Sequence, residues 1–431
     1  MSTAPTPTSL GWRKKACVAC TASKRQCDKQ EPACRRCRSK GRPCQYPLVR
    51  QICLPIEDAS EADEARASGT VSDVSLAEID FLAPSLGDCQ VPNPLFDAVG
   101  ALVVGANTEC AWFLSEATWG VMHGAPEGSE FVDTDVLQRF VADVQSWFRQ
   151  WVTDGCNPFI HAQLYRQRMP RSVRDAYTSL TAYLAKNAAN ERMTLQVVQD
   201  NAESLLREQQ PDDNDDDAAA ARLDTLDHVA RVQALLVYQA IRLFDGDIGA
   251  RERGEAAAPT LLAWTRQMWA RAKRDLRPAE HGATAAQLRV LGADGTAFVW
   301  RTWIVAESVR RTWLTARVLT GVYQTLKTGA SECPGGIAYT VSRGLWDAPS
   351  AYAWARACRS AGPAPLLHNI SSADALFGAV GASDVDDFSH AMMRATFGEE
   401  RMERWVGETA EGMGSNPLDT MFLLGDLPSV A

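Results

Sequence analysis

The sequence predicts a mainly all-α protein that carries a small, separate cysteine-rich module near its N-terminus. Three observations support this fold class. Six of the twelve cysteines lie between Cys17 and Cys44, apolar residues beyond about residue 91 recur at steps of three and four, and strand-like alternation is scarce. With 431 residues, the chain is too long for one ordinary core, so we expect two or three structural units.

Charge is distributed unevenly along the chain. Residues 1–50 contain twelve lysines and arginines but only two acidic residues, a net charge of +10, whereas the whole chain carries −9. A short basic segment on a large acidic body favours an electrostatic ligand, such as nucleic acid, for the basic segment alone. No apolar run approaches the roughly 18–20 residues that cross a bilayer, and residues 1–15 lack a signal-peptide core, so we expect neither membrane insertion nor secretion.

The first two segments are a leader and the cysteine module. Residues 1–12, rich in Thr, Pro and Ser, are expected to form a flexible leader, and residues 13–47 form the module. Its cysteines follow the pattern C-x2-C-x6-C-x6-C-x2-C-x6-C, two similar halves, and are Cys17, Cys20, Cys27, Cys34, Cys37 and Cys44. Zinc prefers four thiolate or imidazole ligands, and the first histidine of the chain is His123. Because six thiolates give two ions four ligands each only if two are shared, the module predicts two Zn²⁺ ions with two bridging sulfurs.

The alternatives to a zinc cluster are a disulfide framework and a chance grouping of cysteines. Disulfides need an oxidising compartment that no feature of the sequence indicates, and the repetition of both halves argues against chance. Catalytic zinc keeps an open position for water, whereas six thiolates closing two tetrahedra leave none. The chain also has no phosphate loop, dinucleotide fingerprint or nucleophile elbow, so we expect no catalytic residues and no enzyme.

The module resembles the fungal binuclear zinc cluster transcription factors. The resemblance covers the segment from Cys17 to Asp28 (CVACTASKRQCD), the segment from Glu31 to Arg38 (EPACRRCR), and the stretch that ends in Cys44-Gln-Tyr46. In that family the first and fourth cysteines bridge the two metals, which here implies Cys17 and Cys34. The family's loop proline corresponds to Pro32 and its base-contacting lysine to Lys24. The chain departs from the family at Thr21, Ser23 and Gln26, where basic residues are common.

The resemblance implies binding to double-stranded DNA. Such factors contact CGG-like half-sites in the major groove through the end of the first short helix, which assigns Lys24 to a base edge. Seven other basic residues of the module are placed to meet phosphates, and they are Arg13, Lys14, Lys15, Arg25, Arg35, Arg36 and Arg38. The alternative for these residues is a solvated charged face. The trio that begins at Arg13 could also serve nuclear import.

The module is followed by a segment that differs from it in composition. Residues 48–90 contain a stretch with five carboxylates and a region of Ser, Ala and Gly, which predicts a disordered acidic linker. Pro47 and Pro55 interrupt the apolar spacing just after the module. We therefore expect no coiled coil there.

Residues 91–383 are expected to form an all-α regulatory domain. A helix with Asp133 or Thr134 as its N-cap should end at Gly155, and others should follow Pro170 and Asn190. The segment from Leu223 to Phe244 is so strongly apolar that its helix should be central, and a long helix is expected from about residue 298 to 326. On that last helix, Glu307, Arg310 and Arg311 could recognise an acidic effector, but we favour an interhelical ion pair.

The body also resembles the regulatory region of those factors in this family that are encoded beside secondary-metabolite biosynthetic clusters. The resemblance spans about residues 130–360 and depends on packing motifs, which are Asn157-Pro-Phe-Ile-His161, Met169-Pro170 with Asp175-Ala-Tyr177, Leu243-Phe-Asp-Gly-Asp247, Ala306-Glu-Ser-Val-Arg-Arg-Thr-Trp313 and Cys333-Pro-Gly-Gly336. It implies regulation of such a pathway.

The C-terminal segment, residues 384–431, alternates acidic and bulky apolar residues. The alternation is clearest at Asp384–Phe388 and Leu418–Leu427. This composition is typical of activation segments that bind transcription coactivators, and the alternative is a terminal helix packed on the body.

Together these features predict a nuclear DNA-binding regulator, and we expect an activator, of a fungal secondary-metabolite gene cluster. The alternative function is a transcriptional corepressor or scaffold that uses the basic zinc module for protein contacts.

Overall fold

The computed structural model describes residues 17, 19–20, 23, 25–28, 30, 33–44, 112–123, 133–208, 223–276, 295–360, 367–372, 376–378 and 380–414. Buried apolar side chains in these ranges form two clusters, a small one made by the module's cysteines and a large one made by the helical body. The predicted leader, the linker at 48–90 and the segment in which a coiled coil was not expected lie outside the described residues. So do Lys24, Arg13, Lys14 and Lys15.

The body is mainly helical, which confirms the predicted fold class. The helices are α1 (Arg35–Ser39) in the module, followed by α2 (Thr134–Asp154), α3 (Arg171–Leu184), α4 (Glu191–Glu208), α5 (Thr225–Phe244), α6 (Ile248–Asp275), α7 (Gly295–Thr328), α8 (Ala351–Ser360), α9 (Asp387–Phe397) and α10 (Glu399–Gly414). Among the helices in the described ranges, none combines the length and apolar character that crossing a bilayer requires.

Helix α2 begins and ends where its sequence predicts. The Asp133 side chain accepts a hydrogen bond from the Asp135 backbone N–H at the start. Gly155 takes the left-handed conformation at the end, with φ 73°, and donates to the Trp151 carbonyl. The eight apolar side chains spaced at three and four residues are all buried, so this face packs against the core.

Helix α5 is central, as expected. Its start is a capping box, in which the carboxylates of Asp224 and Asp227 accept from each other's backbone N–H groups. Every residue from His228 to Phe244 is buried, and the helix contacts α2, α3, α4, α6 and α7. A helix that is buried on all sides requires neighbours on all sides, so α5 lies at the centre of the body.

A small antiparallel sheet was not predicted. Strands β1 (Val121–Met122), β2 (Gly336–Thr340) and β3 (Leu367–Asn369) lie in the order β1-β2-β3, with Val121 opposite Ile337 and Tyr339 opposite His368. Strand β2 packs against α7 and is buried on both faces, so it lacks the alternation of polar and apolar residues that identifies a half-buried strand.

Packing continues past residue 383, where the sequence interpretation placed the start of the tail. Asp386 caps α9 by accepting from the Ser389 N–H at 2.9 Å, and Phe388 is buried. Helix α9 packs on α2 and on α10. The segment Asp384–Phe388 is therefore packed on the body, which was the alternative to an activation segment. The segment Leu418–Leu427 lies outside the described residues.

Candidate metal centre

The six module cysteines converge into two overlapping groups of four. In each group the sulfurs all lie within 4.8 Å of one another. The groups are Cys17, Cys20, Cys27 and Cys34, and Cys17, Cys34, Cys37 and Cys44. Cys17 and Cys34 belong to both groups, which is the arrangement that two metal ions with two shared ligands require.

The separations between sulfurs fit a zinc ion rather than disulfides. The Sγ atoms of Cys17 and Cys34 are 3.8 Å apart, and the pairs Cys17–Cys37 and Cys20–Cys34 are both 3.7 Å apart. Four sulfurs held at about 2.3 Å by a tetrahedral zinc ion lie about 3.8 Å from one another. A disulfide would bring two sulfurs to about 2.05 Å, and all six cysteines are free thiols.

Short turns position the thiols in both halves of the module. In the first half, the N–H of Ser23 donates to the Ala19 carbonyl and the N–H of Arg25 to the Cys20 carbonyl, which forms a helical turn after the first pair of cysteines. In the second half, Cys34 caps α1, and its sulfur accepts from the Cys37 N–H at 3.3 Å. Each C-x2-C pair thus presents its two sulfurs from one turn.

One contact between the halves was not predicted from the sequence. The carboxylate of Asp28 accepts from the backbone N–H of Arg35 at 3.0 and 3.2 Å. The signal available in the sequence was an acidic residue directly after Cys27, in a module with few carboxylates. This contact ties the end of the first half to the start of α1.

Burial and hydrogen bonding move the thiol pKa values in opposite directions. The backbone N–H of Cys37 lowers the pKa of Cys34 to about 6. Burial raises the pKa of Cys17, Cys20 and Cys37. Because thiolates are the metal-binding form and neighbouring thiolates repel, full deprotonation of this cluster requires a bound cation, and soft sulfur donors favour zinc.

The surface around the buried sulfurs is basic. Arg25, Arg35 and Arg38 are exposed, and Arg36 is half-buried. Arg38 also donates to the carbonyl of Ala33 at 3.0 Å, which holds its guanidinium near the start of α1. These four arginines were predicted to contact phosphates, and the structure leaves three of them open to a ligand.

The charged residues on α7 form a structural network. Arg311 donates to the carboxylates of Glu307 and Asp386 at 3.1 and 2.5 Å, and to the carbonyls of Pro158 and Thr340. Its side chain and that of Glu307 are fully buried. Glu307 and Arg311 pair within α7, at i,i+4 spacing. The predicted link between helices is made by Arg311 and Asp386, which join α7 to the N-terminus of α9.

Arg310, the third member of that group, has a different environment. It donates to the Phe113 carbonyl at 2.6 Å, and its guanidinium lies 4.4 Å from the centre of the Trp119 ring. Burial lowers its pKa to about 10. The contact fixes the segment before β1 against α7.

The family comparison identifies the module. Residues 15–51 match the family model described as the fungal Zn(2)-Cys(6) binuclear cluster domain. This match confirms the resemblance predicted from the cysteine spacing. The cofactor of such a domain is two zinc ions, so the predicted cofactor is confirmed as well.

Two relatives extend the comparison. The chain is 26% identical to the protein named "Transcription factor gsfR2" from Penicillium aethiopicum over 424 residues, which cover 92% of this chain and 95% of the relative. It is 28% identical over 116 residues to the "Ergochrome gene cluster transcriptional regulator" of Claviceps purpurea (strain 20.1), which cover 27% of this chain and 19% of the relative. No solved structure matches the chain. Both relatives are regulators of transcription, which confirms that the similarity is to transcription factors and not to enzymes.

Proposed function

We propose that the protein is a nuclear, sequence-specific DNA-binding regulator that activates a fungal secondary-metabolite gene cluster. The observation that carries this proposal is the pair of four-thiol groups that share Cys17 and Cys34 in a basic segment. The names of both relatives support the class of protein, and the name of the ergochrome regulator supports a gene cluster as the target.

In this proposal all six module cysteines bind zinc, and Cys17 and Cys34 bridge the two ions. Six thiolates and two Zn²⁺ ions together carry −2, so residues 1–50 keep a net charge of about +8 when the metal is bound. The zinc cluster therefore holds the fold together without cancelling the positive field that attracts DNA.

The DNA contacts divide into one base contact and several phosphate contacts. Lys24 follows the first pair of cysteines and would donate to the O6 and N7 acceptors of guanine in a CGG-like half-site. The exposed side chains of Arg25, Arg35 and Arg38 support phosphate binding. Arg36 and the basic trio Arg13, Lys14 and Lys15 complete the proposed phosphate contacts.

Binding of a CGG-containing duplex and of a scrambled duplex tests this division of roles. Lys24→Ala should weaken binding to the CGG duplex by roughly tenfold to a hundredfold and change binding to the scrambled duplex little, because one base contact contributes about 1–3 kcal/mol of discrimination. Lys40→Ala is the matched control, since Lys40 is an exposed lysine at the end of α1. It should weaken both complexes equally and slightly.

The same measurement distinguishes the proposed DNA-binding regulator from the alternative function. If both the wild-type protein and Lys24→Ala bind the CGG duplex and the scrambled duplex with equal affinity, the basic module does not recognise a specific DNA sequence. That result would favour the corepressor or scaffold.

Activation is assigned to the segment Leu418–Leu427, where bulky apolar and acidic residues alternate. Replacing Phe422, Leu423 and Leu424 by alanine in the full chain should abolish reporter activation while DNA binding is retained. Activation that survives this change would contradict a coactivator contact through the tail.

A further inference from the structure

A cavity of about 460 Å³ lies between α5, α6 and α7, within the described part of the body. Its size falls in the range of about 300–1,000 Å³ that is typical of small-molecule sites. The walls are mainly apolar and include Leu243 from α5, Ala258 and Leu261 from α6, and Leu319 from α7.

Backbone geometry fixes the walls of this cavity. Helices α5 and α6 approach closely at Gly254, where an added Cβ would lie 2.8 Å from a Leu243 methyl group. Pro259 lies within α6 beside the cavity and has no N–H to donate to the Glu255 carbonyl. At the end of α7, Gly329 has φ 94° and turns the chain so that Ser331 returns to line the cavity.

Two lining residues carry buried oxygen atoms that lack a hydrogen-bond partner. The amide nitrogen of Gln239 donates to the Gly254 carbonyl at 2.8 Å, but its Oε1 has no partner. The Ser331 hydroxyl has none either. Gln239 is 1% exposed and Ser331 is 8% exposed. Because unpaired buried polar atoms are unfavourable, a ligand that donates a hydrogen bond would gain from this site.

Of the three charged residues that line the cavity, Glu332 is exposed, and Glu255 and Lys327 are paired with each other. The Lys327 ammonium lies 2.7 Å from one carboxylate oxygen of Glu255, and the Tyr323 hydroxyl donates to the other at 2.5 Å. A charged ligand would have to break this arrangement. The site therefore suits a neutral molecule.

We propose that this cavity binds a small, neutral, mainly apolar molecule that donates a hydrogen bond to Gln239 through a hydroxyl group. The apolar walls provide most of the affinity, and the Gln239 oxygen selects the hydroxyl. This inference goes beyond the proposed function and does not depend on DNA binding.

A matched pair of probes, 2-naphthol and naphthalene, tests the proposal with the full-length, zinc-loaded protein. Saturable binding of both is expected by ligand-observed NMR and by the upward shift of the body's melting temperature. 2-Naphthol should bind about two- to tenfold more tightly than naphthalene, because a net hydrogen bond adds that much affinity. In Gln239→Leu the preference should disappear or reverse.

A second pair of variants tests the location. Ala258→Phe fills the cavity and should abolish binding of both probes, whereas Ala256→Phe adds the same ring at an exposed position of α6 and should leave binding unchanged. No saturable binding to the wild-type protein, equal affinity for the two probes, or binding that survives in a folded Ala258→Phe variant would each overturn the proposal. DNA binding by the wild-type protein, measured in parallel, reports separately on the proposed function.

Discussion

Cys17 and Cys34 differ from the other four module cysteines because each belongs to both groups of sulfurs. If both residues bridge the two ions, removing either one takes a ligand from both metals at once. Removing Cys27 takes a ligand from one group alone. The position of a cysteine within the module should therefore decide how many zinc ions are lost.

Native mass spectrometry of alanine variants measures this difference. Cys34→Ala should lose both zinc ions, whereas Cys27→Ala should retain about one, because each closed site needs four ligands. Cys156→Ala, a body thiol outside both groups, should retain two. Equal zinc content in the Cys34 and Cys27 variants would contradict the bridging assignment.

A buried histidine gives the body a dependence on pH. His161 is 5% exposed, its ring packs edge-on against Trp346, and burial lowers its pKa to about 4. The unfolded chain binds a proton at the ordinary pKa of about 6.5, so between these values the unfolded state holds more protons. The contribution of His161 to stability is therefore complete above about pH 6.5 and is lost as the pH falls toward 4.

Chemical unfolding at several pH values checks this prediction. His161→Gln should remove up to about 3 kcal/mol of the decrease in unfolding free energy between pH 6.5 and 4. Parallel pH curves for the wild-type protein and His161→Gln would show that this histidine is not the source.

Single residues also show what sequence spacing can predict. The cysteine spacing predicted both the metal and the sharing of two ligands, because tetrahedral zinc leaves few ways to use six thiolates. It did not predict the Asp28 contact with Arg35, since an acidic residue beside a cysteine signals a contact but not which backbone N–H it will meet. Nor did it predict Asp386 as the partner of Arg311, because 75 residues separate the two.

At the scale of elements, helices were predicted far better than strands. The ends of α2 at Asp133 and Gly155 and the central place of α5 follow from capping residues and apolar periodicity, which are local signals. Strand β2 is buried by α7 and by its neighbouring strands, so only the folded body explains it. The same holds for α9, whose acidic and apolar residues were consistent with either an activation segment or a packed helix.

The Arg311 network should be the strongest polar link between elements of the body. Arg311→Met would leave the buried Glu307 and the largely buried Asp386 without their cation, and we expect a loss of about 3–5 kcal/mol in the free energy of unfolding. Arg404→Ala breaks an exposed pair with Glu400 at the same helical spacing and should cost about 0.5 kcal/mol or less. Urea denaturation of both variants provides the comparison. A similar small loss for both would mean that water replaces Arg311 at little cost.

At the scale of the whole molecule, the module and the body depend on different forces. The buried cluster of the module consists of cysteines, with Ala19 packed against it, whereas the body has a large core of aliphatic and aromatic side chains. So few apolar atoms do not offset the conformational entropy of ordering the module. The fold of the module must therefore be stabilised by metal binding. The fold of the body should not depend on metal.

Chelation of the full chain tests this division. Removing zinc should abolish preferential binding to a CGG-containing duplex, because the module unfolds without its ions. The far-UV circular dichroism and the thermal transition of the body should change little, since its core contains no metal group within the described residues. Restoring two equivalents of zinc should restore binding, which separates metal loss from damage to the protein. Specific binding that persists after verified removal of the metal would contradict a DNA-binding module that zinc holds in its fold. Loss of the body's thermal transition would show that the two units do not fold independently.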